Sequence, residues 1–407
     1  MKIHKSHKIR LYPNDVQKTY FKKACGVSRF AYNWALSRSI ETYEKEGKSL
    51  SGYDLSKRFN AIKHVEYPWV TEITKWASQK ALYNLHAAYK NFFKNIKQGK
   101  KLGYPKFKKK NFSKESFYLG LNCVKLKDNR IKIPKLGWVK MAQRLRFTQC
   151  KIMSATISCT AGMWFVSITV EQHVPNVKPA SSFPIVGVDV GIKSLAVTSD
   201  GKVYNNPKAL LRNERKLKRL QRLVSRKQKG SSSRKKAVSK LSKHHYKISC
   251  IRKDSIHKAT TAITKSSSVI VIEDLSLRSM LKNRKLSRLL SDASLSEFHR
   301  QIVYKSYWNG VEVIKADRYF PSSKTCSVCG NIKNDLILSD RIYICNHCGA
   351  VIDRDINAAI NLKQLAVRYT ESINACGERG SGFNCSNATK TKPFSLKQEK
   401  GNCVGAV

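Results

Sequence analysis

The stretch CSVCGNIKNDLILSDRIYICNHCGAVIDRDINAAINL, residues 326–362, joins two kinds of chemistry. Cys326 and Cys329 form one Cys-x-x-Cys pair and Cys345 and Cys348 a second, with fifteen residues between them. Each such turn can present two thiolates to one metal, and two turns complete a tetrahedral zinc site. Four thiolates leave no position for water, so the zinc would be structural. His347 lies inside the second turn and reads as a surface residue rather than a ligand. A redox dithiol would need a thioredoxin-like strand–helix–strand setting, which neither pair has. Directly behind the second pair, DRDINAAINLKQLAV reads as a helix opened by two aspartates. Asp353 and Asp355 are two apart and do not share a helix face. If Asp353 caps the helix, Asp355 is free to point at a sheet.

The sheet is legible upstream. IVGVDVGIKSLAVTSDGKVY, from Ile185, reads as two buried strands and an Asp200-Gly201 turn, with Asp189 at the end of the first strand. SSSVIVIEDLSL is another buried strand ending in Glu273, and VEVIKADRYF returns as a further one. With helices between them, these strands predict an α/β domain interrupted by the cysteine segment and closed by the last helix. A carboxylate in a buried strand is costly unless it is paired or binds a cation. Strand alternation sends Glu273 and Asp274 to opposite faces, and Glu273 is the preferred site residue. Gly187 and Gly191 flank Asp189 and allow close approach of a backbone or ligand. Taken singly, each acid is a cap or a salt bridge. Together, Asp189, Glu273 and Asp355 can converge and would repel one another without cations. Magnesium suits such oxygen ligands, and two ions a few Å apart can activate water and stabilise the leaving oxygen of a phosphodiester.

The first part of the chain differs. HKIRLYP reads as a short strand, Asn14 or Asp15 as a helix cap, and Val16, Tyr20, Phe21, Ala24, Val27, Phe30, Ala31 and Trp34 as an apolar helix stripe. SQKALYNLHAAYKNFF is a second helical pattern, so residues 14–95 form a helical module. Hairpins around Asp128-Asn129 and Ala161-Gly162 follow, and these short strands predict a small barrel that the first strand joins. VPNVKPASSFP is a linker.

Charge narrows the partners. The chain has 407 residues, with 78 Lys+Arg against 27 Asp+Glu, a net of +51. Nucleic acid is the natural neutralising partner for such a chain. Two stretches concentrate the charge. Lys94 to Lys114 holds nine lysines and no acid, interleaved with Tyr and Phe, a composition suited to phosphate contact and base stacking. Leu211 to Lys253 holds seventeen Lys/Arg and one acid, Glu214, in a helical hairpin broken at KGSSSRKK. Twelve scattered cysteines exclude a disulfide framework. The start MKIHKSHKIRLYP is no signal peptide, and no apolar run is long enough to span a membrane. The protein is expected in the cytoplasm.

In order along the chain, GVDVGIKSLAVTSDG, VIVIEDLSL, CSVCG, CNHCG and DRDINAAINL resemble the transposon-encoded TnpB (OrfB-type) family, relatives of type V CRISPR effectors. HKIRLYPNDVQ, GYPKFKKK, IPKLGWVK and YFPSSKTCSVCG agree with it, so the resemblance covers nearly the whole chain up to the tail. It implies a multi-domain α/β protein. A RuvC/RNase H-like nuclease domain would occupy residues 183–322 and 351–367, with the basic helical hairpin at 208–265 and a zinc ribbon inserted at 323–350. A wedge β-barrel would occupy 1–13 and 96–178, with a helical recognition module at 14–95 inserted in it and a flexible tail at 368–407. It implies an RNA-guided DNA endonuclease of prokaryotes, associated with the nucleoid when bound to DNA. The guide RNA would derive from the transposon end, and double-stranded target DNA would be cut next to a short transposon-adjacent motif. A monomer on one RNA is favoured. Asp189, Glu273 and Asp355 resemble the catalytic, magnesium-binding triad, the aspartate before xNAA favouring Asp355 over Asp353. Cys326, Cys329, Cys345 and Cys348 resemble the zinc ligands. Tyr53, Lys75 and Gln79 resemble the family's motif-reading positions. Competing readings are a non-cleaving RNA-guided repressor or transposition regulator, which would not need the acids, and a structure-specific nuclease, which would not need residues 1–175.

Overall fold

The computed structural model describes residues 2–100, 103–173, 183–337, 339–376 and 388–390. The chain splits into two compact units, Met1–Val174 and Pro175–Val407, divided within the expected linker, of which residues 174–182 lie outside the described residues. Among the described residues no helix is long and apolar enough to cross a membrane.

The first unit begins with β1 (Lys2–Tyr12) and continues with α1 (Asp15–Glu46), α2 (Gly52–Ile62), a 3-10 turn (Pro68–Glu72) and α3 (Lys75–Lys97). Six strands follow: β2 (Ser116–Leu119), β3 (Lys125–Lys127), β4 (Arg130–Ile133), β5 (Gly137–Met141), β6 (Lys151–Thr160) and β7 (Met163–His173). They form one antiparallel sheet in the order β2-β6-β7-β1-β5-β4-β3. β1 is its shared strand: Lys2 to Leu11 pair with β7, and Leu11 and Tyr12 pair with β5. The helices are thus inserted in the chain between β1 and the other strands, as expected. The barrel needs a correction. No pairing joins the edges β2 and β3 among the described residues, so the ladder is open. The two edges are short, at four and three residues.

Asn14, not Asp15, caps α1, in a reciprocal capping box with Gln17. Of the expected stripe, Phe21, Ala24, Val27 and Ala31 are fully buried, and Phe21 meets Trp164 of β7 at 4.9 Å between ring centroids. Val16 in the first turn is 75% exposed and lies outside the core. The turns match expectation: Ala161 and Gly162 both take positive φ (52° and 74°), the geometry of a two-residue hairpin.

The second unit opens with β8 (Ile185–Asp189), β9 (Ser194–Thr198) and β10 (Val203–Asn205), followed by α4 (Ala209–Ser225) and α5 (Ser232–Lys265). Then come β11 (Val269–Glu273), α6 (Leu277–Met280), α7 (Arg284–Ala293), α8 (Leu295–Asn309) and β12 (Glu312–Ala316). β13 (Ile342–Ile344), β14 (Val351–Asp353), α9 (Arg354–Cys376) and β15 (Ala388–Lys390) complete it. The main sheet has the order β10-β9-β8-β11-β12-β15, with β8, β11 and β12 parallel. Alternate residues feed two cores. Val186, Val188, Ile270 and Ile272 pack with Ile263 of α5 and Phe298 of α8, while Val271 and Ile314 pack with Leu362 and Ala366 of α9. The basic hairpin is α4 and α5. Asp292 of α7 anchors it, accepting from the Leu210 N–H at 3.0 Å and from Arg252 Nε at 2.7 Å.

The expected tail is also corrected. α9 runs on to Cys376, past residue 368, and Ala388–Lys390 pair with β12. The remainder of the tail, 377–387 and 391–407, lies outside the described residues.

One contact sets where α9 sits. A Cβ on Gly187 would collide with the carbonyl oxygen of Ala359 and lie 2.6 Å from the Lys363 amide nitrogen. The helix backbone therefore rests directly on β8. We expect Gly187→Ala to cost about 1–3 kcal/mol or more by overpacking, read as a lowered melting temperature. Gly191→Ala, whose Cβ would meet the Ser194 carbonyl at 3.3 Å, should be much milder. Equal effects at the two glycines would refute the close-approach account.

Candidate active site and metal centre

Asp189 and Glu273 end the neighbouring parallel strands β8 and β11, which run in register with Val188 opposite Ile272. The two carboxylates therefore leave the sheet at the same edge. Strand period two puts Asp189 on the face of Gly187 and Glu273 on the face of Val271, both covered by α9. Asp355 lies in the first turn of that helix. Asp353 does not join them: its side chain accepts from the backbone N–H groups of Asp355 at 2.9 Å and Ile356 at 3.2 Å and caps the helix. Asp274 is occupied elsewhere, by Arg318 at 2.6 Å.

The electrostatics follow from this convergence. Burial, then the negative charges of Glu273 and Asp355, push Asp189 up to about 8, against the opposing Val190 N–H and Arg354. Burial also raises Glu273, countered by the hydroxyl of Ser322, which donates to Glu273 Oε1 at 2.5 Å. An acid cluster that holds a proton near neutral pH is short of positive charge. Oxygen donors on two strands and a helix suit a hard divalent cation. They are not drawn into a tight knot: among the described residues only the four cysteines bring three or more ligating atoms within 4.8 Å of one another.

The cysteines form a compact knuckle. Sγ of Cys326 lies 3.7 Å from that of Cys348, and Cys329 lies 3.6 Å from Cys345. Tetrahedral zinc with Zn–S bonds of about 2.3 Å requires sulfurs about 3.8 Å apart, so the set fits the metal. Each turn ends in a glycine at positive φ, Gly330 at 78° and Gly349 at 70°, a conformation that favours glycine. Backbone N–H groups of Cys348, and then His347, bring Cys345 down to about 6. His347 itself is exposed and stays outside the ligand set. Fully buried Tyr343 fills the knuckle and donates to the Lys324 carbonyl at 3.1 Å. Arg354 ties the knuckle to α9, donating to the Ile337 carbonyl at 2.8 Å.

The reading of the sequence missed a second tie. Asn357, Asn361 and Gln364 lie along one face of α9 and hold the strand of chain entering the knuckle. Asn361 Nδ2 donates to the carbonyls of Ser322 and Thr325, both at 2.7 Å. Asn357 donates to the Thr325 carbonyl at 2.7 Å and accepts from the Ser327 N–H at 2.9 Å. Gln364 donates to the Ser327 carbonyl at 2.8 Å. The signal was available: carboxamides at i, i+4 and i+7 among apolar residues imply buried amides that need partners.

The positions read by resemblance as motif-contacting lie in the first unit. Tyr53 is in the first turn of α2 and 69% exposed, and Lys75 and Gln79 are in the first turns of α3. A cleft of about 340 Å³ opens beside Lys75 and Trp76, bordered also by Lys63 and Lys135; Tyr53 and Gln79 do not line it.

Comparison with known proteins agrees with this architecture. Residues 166–284 match the family described as "Probable transposase" (OrfB of IS605), residues 296–362 a "Cas12f1-like, TNB domain", and residues 1–48 a "Helix-turn-helix domain". In the last segment the structure has a strand and one uninterrupted helix. A "Putative RNA-guided DNA endonuclease" of Streptomyces pristinaespiralis is 34% identical over 100% of this chain and 98% of its own. The "Putative RNA-guided DNA endonuclease InsQ" of Escherichia coli K12 is 32% identical over 93% of this chain and 95% of its own. A solved Cas12f1–sgRNA–target DNA complex contains a chain that superposes with a TM-score of 0.54 at 16% identity, covering 89% of this chain and 99% of that one, a likeness of fold. Relatedness along the full length, with the Cas12f1-like segment spanning the knuckle and α9, shows that this chain belongs to the TnpB family.

Proposed function

We propose that the protein is a transposon-encoded, RNA-guided DNA endonuclease that hydrolyses target DNA next to a short transposon-adjacent motif, through a RuvC-like, RNase H-type domain in the second unit. The convergence of Asp189, Glu273 and Asp355 at one sheet edge carries the reading. Supporting it are the mixed sheet with its central parallel strands, the names of the full-length relatives, and the net charge of +51. A guide RNA derived from the transposon end would read the target by base pairing, while Tyr53, Lys75 and Gln79 would read the adjacent motif. Basic surfaces, including α4 and α5, would track phosphates.

The three carboxylates would hold magnesium, which supplies an activated water and stabilisation of the leaving oxygen. Asp189, pushed up to about 8, must give up its proton for the site to load. Glu273 presents its second oxygen while Ser322 holds the first. Asp355 completes the set from the helix. The four thiolates of the ribbon would hold one zinc that fixes the knuckle against α9 and takes no part in chemistry.

Three outcomes test this reading. First, the complex purified with its copurified RNA should linearise plasmids bearing the guide's target beside a subset of randomised flanks. Asp189→Ala, Glu273→Gln and Asp355→Ala should each lower that rate by about 10³-fold or more, a double variant losing little beyond a single one because the acids act as a unit. Motif-dependent binding without cutting by the wild type would replace nuclease with repressor. Second, the folded pKa of Asp189 is about 8 and its ordinary value 3.8, so between these the folded state binds the extra proton. Stability without divalent metal should therefore fall as pH rises from about 4 to 8. Magnesium should raise the melting temperature more at pH 8 than at pH 6, and Asp189→Asn should flatten both trends. A metal effect independent of pH would contradict the assignment. Third, elemental analysis should find one zinc per chain, and Cys326→Ser should lose it together with the melting transition of the second unit. Unchanged folding without zinc would remove its structural role.

A further inference from the structure

Among the described residues, Glu273 is the one site acid whose carboxylate is held by a neutral side chain from a different part of the chain. Ser322 lies between β12 and the knuckle, 5% exposed, and its hydroxyl donates to Glu273 Oε1 at 2.5 Å. A serine hydroxyl has one proton to donate, and here it is committed to the carboxylate. Ser322 is itself held from both sides. Its N–H donates to the Phe320 carbonyl at 2.8 Å, and its carbonyl accepts from Asn361 at 2.7 Å. Asn361 is 3% exposed and uses its amide on Ser322 and Thr325. It stands on α9 six residues after Asp355, on the same rigid helix.

These contacts close a circuit. It runs from Asp355 along α9 to Asn361, across to Ser322, onto Glu273, down β11 to β8, and back to α9 through the Gly187 contact. A displacement of the helix would move Asp355 and, through Asn361 and Ser322, reorient Glu273 with it. Without Ser322, the Glu273 carboxyl would turn freely about its last torsion.

We propose that Ser322 is a positioning residue that orients the Glu273 carboxylate for metal binding, and that Asn361 sets Ser322 in register with Asp355. This rests on the reading of the three acids as a metal centre. Outer partners of metal-binding carboxylates commonly change metal affinity 10–100-fold when removed.

The test uses the full-length protein with its copurified RNA. Mn²⁺ binding is followed by electron paramagnetic resonance, Mg²⁺ dependence by cleavage, and zinc content by elemental analysis. Ser322→Ala should raise the midpoint for both divalent ions about 10–100-fold, while the rate at saturating metal recovers most of its value and the zinc content stays that of the wild type. Ser322→Thr, which keeps the hydroxyl, should restore the midpoint. Adding Asn361→Ala to Ser322→Ala should shift it little further, because Asn361 acts through Ser322. An unchanged midpoint in Ser322→Ala, loss of zinc from it, or failure of Ser322→Thr to restore binding would overturn the proposal. Glu273→Gln separates the two levels: Mn²⁺ binding unaffected by that change would overturn the metal-centre reading, and the role of Ser322 with it.

Discussion

The second unit depends on the absence of one side chain. At Gly187 the backbone of α9 lies against β8 with no room for a Cβ. Two residues on, strand alternation brings Asp189 out on the same face, and one helical turn before Ala359 comes Asp355. The close approach and the convergence of acids are therefore one geometric fact. A larger residue at 187 would lift the helix and separate the carboxylates that must act together. The stability of the fold and the placement of the site are controlled at the same position.

This geometry has an electrostatic cost that the rest of the site offsets. Asp189 is driven to about 8 by burial and by its two acidic neighbours. The long-range field of a chain with a net charge of +51 does not remove that strain, since distant exposed cations are screened by salt. Relief has to be local. The Ser322 hydroxyl at Glu273, and the Val190 N–H and Arg354 at Asp189, serve this end. What remains unsatisfied is the mutual repulsion of the three acids, which is the property that makes the cluster attractive to a divalent cation.

Short-range signals in the sequence were reliable where one residue type has few alternatives. Glycine and asparagine turns located the hairpins, apolar runs located β8 and β11, and paired cysteines located the knuckle. Reading failed where the outcome depends on partners distant in the chain. α2 has a capping box at Ser51 and Asp54 but only a short apolar pattern, and its burial comes from packing on α3. The first sheet could not be seen to stay open, because its strand order is set by pairings between residues distant in the chain. Continuation of α9 to Cys376 was obscured because RYTESINAC carries no apolar helical stripe for sequence reading to follow. The carboxamide clasp at Asn357, Asn361 and Gln364 was visible as a spacing, but its targets are backbone carbonyls, which sequence does not mark.

The two candidate metal sites differ in ways that explain their adjacency. The cysteine site is soft, closed and compact, with opposed sulfurs 3.6 and 3.7 Å apart and its own small core around Tyr343. Its ligands come from one short segment, so it can organise locally once metal is present. The acid site is hard, and its ligands come from two strands and a helix far apart in sequence, so it can form only after the sheet and α9 have assembled. Placing the self-organising site immediately before α9 gives that helix a fixed start. Arg354 and the Asn357–Asn361 face then grip the knuckle on one side, while Gly187 admits the helix on the other. A carboxylate set that would otherwise rely on long-range packing alone is thus registered against a rigid local element. That is the physical reason for cysteines and aspartates to be neighbours in residues 326–362.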